Sequence, residues 1–117
     1  MKTPSIKMLA QVFDNPVEAK RILQMSHAEL SAHPVGAARI AACHHRPKWY
    51  DVRMTILNSI DPGLHGVESI TGRQEYVDYL NTGDTYTPAL IFWRGRYRVQ
   101  SVGDFIETQE KHGVKFS

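Results

Sequence analysis

The run Thr87-Pro88-Ala89-Leu90-Ile91-Phe92-Trp93-Arg94-Gly95-Arg96-Tyr97-Arg98-Val99 is the most apolar stretch of the chain, and Arg94-Gly95 divides it. Strand-forming residues on both sides of a two-residue break ending in glycine are the sequence pattern of a β-hairpin. A two-residue loop sets Trp93 opposite Arg96, Phe92 opposite Tyr97, Ile91 opposite Arg98 and Leu90 opposite Val99. Side chains alternate along a strand, so Leu90, Phe92, Tyr97 and Val99 share one face, read here as the buried one. Ala89, Ile91, Trp93, Arg96 and Arg98 share the other, read as an exposed cationic and aromatic patch. A three-residue loop with Gly95 left-handed would shift the partners on the first strand and leave the alternation of the second unchanged.

Downstream of the hairpin, Asp104 with Glu107 reads as a capping box for a closing helix that ends at His112-Gly113, Gly113 taking the C′ position. Upstream, Asn81-Thr82-Gly83-Asp84 reads as a loop. Glu75 to Leu80 reads as a strand through its tyrosines and valine, although the run also suits a helix. Thr71 to Gln74 reads as a turn, and Val67 to Thr71 as another strand.

Before Gly63 the apolar spacing is helical. Thr3-Pro4 opens a first helix carrying Ile6, Leu9 and Phe13, with Thr3 as cap. Asn15-Pro16 with Glu18, and then Ser26 with Glu29, open the second and third. The alanine-rich segment Val35 to His45 predicts a fourth, with His44 and His45 in its last turn. Pro47 to about Ile60 predicts a fifth, buried through Trp49, Val52, Ile56, Leu57 and Ile60. The expected fold is therefore α+β: short helices over 1–61, then a four-stranded antiparallel meander with a closing helix over 64–113, in a single domain.

The segment Tyr79 to Val99, Y-L-N-T-G-D-T-Y-T-P-A-L-I-F-W-R-G-R-Y-R-V, followed by G-D-F-I-E, resembles small accessory proteins carried by bacterial phages and other mobile elements. The resemblance lies in the C-terminal third, implies no activity and carries over no functional residue.

At 117 residues, with 42% hydrophobic and 22% charged content, the composition is that of an ordinary soluble globular chain. No apolar run reaches the ~20 residues that span a bilayer, and no signal peptide is read at the N-terminus, so the expected location is the cytoplasm. The single cysteine, Cys43, fits a reducing compartment. Net charge is +2, unevenly spread. Residues 1–63 hold eight Lys/Arg against five Asp/Glu, and residues 64–117 hold six against seven.

Enzymatic chemistry finds little material. Cys43-His44-His45 are adjacent residues pointing about 100° apart on a helix, which converge poorly on one ion, and His27, His33, His65 and His112 are scattered. A Cys43–imidazole nucleophile faces the same geometric objection. A hydrolase built on Glu68, Asp78, Asp84 and Asp104 is the other enzymatic reading, and the polar loop Thr82 to Thr85 is more simply a turn. No phosphate loop, nucleophile elbow, zinc-protease or dinucleotide fingerprint is present. The sequence therefore predicts no catalytic residue, metal or cofactor.

Binding is the favoured class. Ile91, Trp93, Arg94, Arg96 and Arg98 supply residue types enriched at interface hot spots, which suits an inhibitor, adaptor or regulator meeting another protein. The same face could close a homodimer. Arginines interleaved with Trp93 and Tyr97 also suit nucleic acid, as does a secondary basic patch at His45, Arg46 and Lys48 and a helix-turn-helix arrangement among the first helices. A simpler account leaves the arginines solvated, with Arg96 stacked on Trp93.

Overall fold

A computed structural model describes residues 3–60, 66–67 and 88–113. The chain divides into two compact units, Thr3–Leu64 and one that holds His65–Ser117. Among the described residues there are six helices: α1 (Ile6–Leu9), α2 (Pro16–Leu23), α3 (His27–Ala32), α4 (Pro34–Ala41), α5 (Trp49–Ile60) and α6 (Val102–Lys111). The strands are β1 (Gly66–Val67), β2 (Pro88–Trp93) and β3 (Arg96–Ser101). None of these helices is long and apolar enough to cross a membrane.

In the helical unit the first four helices each start at a side-chain cap. Ser5, not Thr3, caps α1, its Oγ accepting from the Met8 amide at 3.1 Å. Asn15 caps α2, but Glu18 turns its carboxylate to Arg21 instead of reaching back to the cap. At α3 the reciprocal box is complete. The Glu29 amide donates to Ser26 Oγ and the Ser26 amide to Glu29 Oε1, each at 3.2 Å. The Ser26 amide holds the Glu29 carboxyl below its ordinary pKa, since it stabilises the ionised form.

The fourth helix is shorter than its alanine content predicts. It runs from Pro34 to Ala41, and His44 and His45 lie beyond it in a bend. Pro47 disfavours helical geometry at Arg46, so the chain has to leave the helix before that residue. The fifth helix starts at Trp49 rather than Pro47. Val52, Ile56 and Leu57 are buried as the stripe predicts, but Ile60 is 44% exposed and Trp49 half-buried. They join Leu9, Phe13, Ile22, Leu23 and Leu30 among the buried residues of this unit.

In the second unit the hairpin has the register read from its sequence. Trp93 pairs with Arg96, Phe92 with Tyr97, Ile91 with Arg98 and Leu90 with Val99. The four-stranded meander is not formed. Among the described residues only β2 and β3 are antiparallel, and β1 lies parallel on the other side of β2 through Gly66↔Leu90 and Val67↔Ile91. Meander neighbours alternate in direction, whereas a parallel pair needs a crossover connection. The expected strand over Glu75 to Leu80, the turn before it and the loop Asn81 to Asp84 lie outside the described residues.

The faces of the hairpin also differ from the reading. Ala89, Ile91 and Trp93 form one buried cluster with Phe105 and Ile106 of α6, and Val102 packs against it. Leu90, on the opposite face, is buried too, while Phe92, Tyr97 and Val99 are half-buried. The cap of α6 is Ser101, the last residue of β3, whose Oγ accepts from the Asp104 amide at 3.1 Å, so Asp104 is not the cap. A helix that starts where a strand stops folds straight back on its own hairpin, and here it meets the Trp93 face. Gly113, at φ 90°, follows the C-cap His112 as expected.

Phe92 is only partly buried, against Tyr97 with ring centroids 4.9 Å apart, so Phe92→Ala is expected to cost roughly 1–2 kcal/mol instead of the 3–5 kcal/mol of a full core aromatic. Chemical denaturation of the two proteins measures the difference, and a loss at the upper value would put Phe92 in the core.

Candidate functional site

The hairpin turn presents its guanidinium groups through an uncommon backbone state. Arg94 and Gly95 have φ of 49° and 79°, positive at both central positions, as a type I′ turn requires. That geometry matches the twist of the strands, which explains a loop of two residues. A Cβ on Gly95 would meet open space, so glycine is demanded there by conformation alone. Arg94 adopts the left-handed state without that freedom, at a cost of about 1–2 kcal/mol. Asparagine would hold the position with less strain.

Arg94 Cζ lies 5.2 Å from the centroid of the Trp93 ring, within cation–π range. The expected partner of that ring was Arg96. Arg94 takes the place because the tight turn folds it back over its own neighbour. Arg96 is exposed. Arg98 is half-buried, with its Cζ 5.6 Å from the centroid of the Phe105 ring, a second cation–π contact. Among the described residues no carboxylate pairs with Arg94, Arg96 or Arg98. The two ion pairs there, Glu18–Arg21 and Arg39–Asp51, both belong to the helical unit.

The sequence pattern predicts Ile91 and Trp93 as the apolar part of an open binding face. They are 0% and 6% exposed, and Trp93 meets Phe105 edge-on with centroids 5.3 Å apart at 76°. Their role is therefore in the core beneath α6, and of the five hairpin residues only the arginines reach the surface.

The secondary basic patch is at the surface in the helical unit. His44, His45, Arg46 and Lys48 are all exposed in the connection between α4 and α5. Beside it lies a feature not legible in the sequence. The rings of His27 and Trp49 stack, with centroids 3.9 Å apart and planes inclined by 10°. The sequence shows one as a scattered histidine and the other as a core position. Only the packing of α3 and α5 brings them together.

Cys43 is half-buried and its Sγ donates to the Arg39 carbonyl at 3.3 Å. Among the described residues no group of three or more His, Cys, Asp or Glu stands where it could hold a metal ion. Of the carboxylates considered for hydrolysis, Asp104 is exposed in the first turn of α6, and Glu68, Asp78 and Asp84 lie outside the described residues, as does the loop Thr82 to Thr85.

No protein-family model matches the chain, and neither a curated protein nor a solved structure is similar to it.

Proposed function

We propose that this chain is a non-enzymatic binding module that docks on another protein through the arginine-bearing tip of the β2–β3 hairpin. Its role is that of an inhibitor, adaptor or regulator, the kind of role that suits an accessory protein of a phage or other mobile element. The observation that carries this reading is Arg94, exposed at positive φ, where a less strained residue would close the same turn. Strain kept at a surface position is accounted for when the side chain held there has work to do. Arg96 stands exposed beside it, and neither has an acidic partner among the described residues. Guanidinium groups held on a rigid turn lose little freedom on meeting a carboxylate, and arginine is enriched among interface residues that matter. The partner this favours is a protein with a local acidic patch. Residues 64–117 carry seven acids against six bases, so this half offers no net positive field to hold an extended polyanion beyond the immediate tip.

Recovery of partners from host lysate, with and without nuclease, identifies the class. Arg94→Asn is expected to raise folding stability by up to about 1 kcal/mol through relief of backbone strain. The same change is expected to weaken partner binding by roughly fivefold or more, the scale of an interface position worth over 1 kcal/mol. Recovery lost on nuclease treatment would replace the protein partner with a nucleic acid. Unaltered binding in both Arg94→Asn and Arg96→Ala would remove the hairpin tip from the interface.

A further inference from the structure

We propose that the α4–α5 connection is a separate site for single-stranded nucleic acid. Arg46 and Lys48 contact phosphates there, and the His27–Trp49 pair is a platform for an unpaired base. Four observations carry this inference, independently of the hairpin. His44, His45, Arg46 and Lys48 are exposed in one short connection, a local run of cationic and imidazole groups with no acid among them. The half of the chain in which they lie is the basic one, eight Lys/Arg against five Asp/Glu over residues 1–63, so the wider field favours a polyanion.

The only carboxylates on α3 and α5 have partners of their own. Asp51 faces Arg39 at 3.9 Å, and Glu29 closes the Ser26 capping box. Finally, the aromatic pair is held in place by its surroundings. The capping box fixes His27 as the first residue of α3, and Arg53 Nη2 on α5 donates to the Met25 carbonyl at 3.1 Å, tying α5 to the turn that leads into α3. Trp49 covers one face of the imidazole, and His27 is otherwise exposed. A base laid on that open face continues the stack, and Lys48, the chain neighbour of Trp49, is placed to meet its phosphate. Stacking on aromatic rings beside a basic track is how single strands are bound without regard to sequence, whereas paired bases hide their faces.

The test uses the full chain and a fluorescently labelled oligothymidylate, followed by anisotropy across a salt series. Binding is expected to weaken log-linearly with salt, and Arg46→Ala and Lys48→Ala are each expected to make the slope shallower by roughly 0.7 unit, the single-strand value per phosphate contact. His27→Ala is expected to lower affinity about fivefold or more while leaving the slope unchanged, because it removes a stacking surface and no phosphate contact. Tryptophan emission is expected to be quenched by the oligonucleotide, and the quenching to vanish in Trp49→Phe. All of the substituted charges are exposed, and circular dichroism verifies that the helices are kept.

Absence of binding at low salt overturns the proposal, as does a salt slope unchanged in both charge variants. Duplex DNA bound as tightly as the single strand would exclude the stacking platform. Polyglutamate displacing the oligonucleotide at equal charge would assign the patch to an acidic protein instead. Loss of oligonucleotide binding in Arg94→Asn and Arg96→Ala, with Arg46→Ala and Lys48→Ala unaffected, would move nucleic acid to the hairpin and overturn both assignments.

Discussion

Trp93→Ala is expected to lower the stability of the sheet-bearing unit by about 3–5 kcal/mol, the cost of truncating a fully packed core aromatic. That is a large share of the total for a domain of this size. The ring is 6% exposed, contacts Phe105 edge-on and shares a cluster with Ala89, Ile91 and Ile106. Removing it leaves a cavity between β2 and α6 that the two elements can close only by shifting the helix. In thermal unfolding the change is expected to lower the midpoint by more than about 10 °C. Trp93→Phe keeps an aromatic ring beside Phe105 and is expected to cost much less. Had Trp93 stood open on a binding face, Trp93→Ala would leave the melt unchanged and abolish partner binding. A melt within error of the parent protein would return Trp93 to the surface and undo the description of the α6 cluster.

The second large effect reverses the usual sign of a glycine substitution. Inside a helix, alanine is ordinarily better than glycine by about 1 kcal/mol. Gly36→Ala in α4 is expected to destabilise the helical unit by about 3 kcal/mol or more, at the upper end of overpacking. A Cβ at Gly36 would sit 2.1 Å from the Leu30 carbonyl oxygen, 3.1 Å from its carbon and 3.2 Å from Ile56 Cδ1. The first two are backbone atoms of α3, which cannot rotate away. Pro34 at the start of α4 leaves almost no connection between the two helices, so α4 cannot back off without disturbing α3. Denaturant unfolding of Gly36→Ala beside Ala37→Gly measures this. The exposed Ala37 site is expected to lose only the roughly 1 kcal/mol of intrinsic propensity. A stabilised Gly36→Ala protein would mean that α3 and α4 are not in such close contact.

The hairpin shows how far local reading extends. Its register depended on the Arg94-Gly95 turn alone, and turn geometry is decided by residues within the turn, so each pair was legible. Which face would be covered depended on α6, an element that meets the sheet only in three dimensions. On β3 the apolar residues are Tyr97 and Val99, and this suggested burial for their side. On β2 the run Ala89-Leu90-Ile91-Phe92-Trp93 is apolar on both sides, and a strand of that kind expects two covers. Arginine on the α6 face is compatible with burial beneath it, since Arg98 sets its guanidinium over the Phe105 ring and stays half-buried. The alternation of β3 therefore misled, and the continuous run of β2 was the better guide.

The helix starts were read correctly at Asn15 and at Ser26–Glu29, and displaced where two cap residues compete within a few positions, as at Thr3 and Ser5 or Ser101 and Asp104, the latter despite Glu107 three residues on. By itself the sequence determined the α+β class, the hairpin and its pairing, and the burial of Val52, Ile56 and Leu57 on α5. Each of these rests on interactions between residues close in the chain, or on a periodicity that needs no partner to be seen. The tertiary structure decided the rest: the parallel placement of β1, the burial of Ile91 and Trp93 under α6, the close approach at Gly36 and the stack of His27 on Trp49. Those depend on which surfaces meet, and a surface is covered only by what the whole chain brings to it.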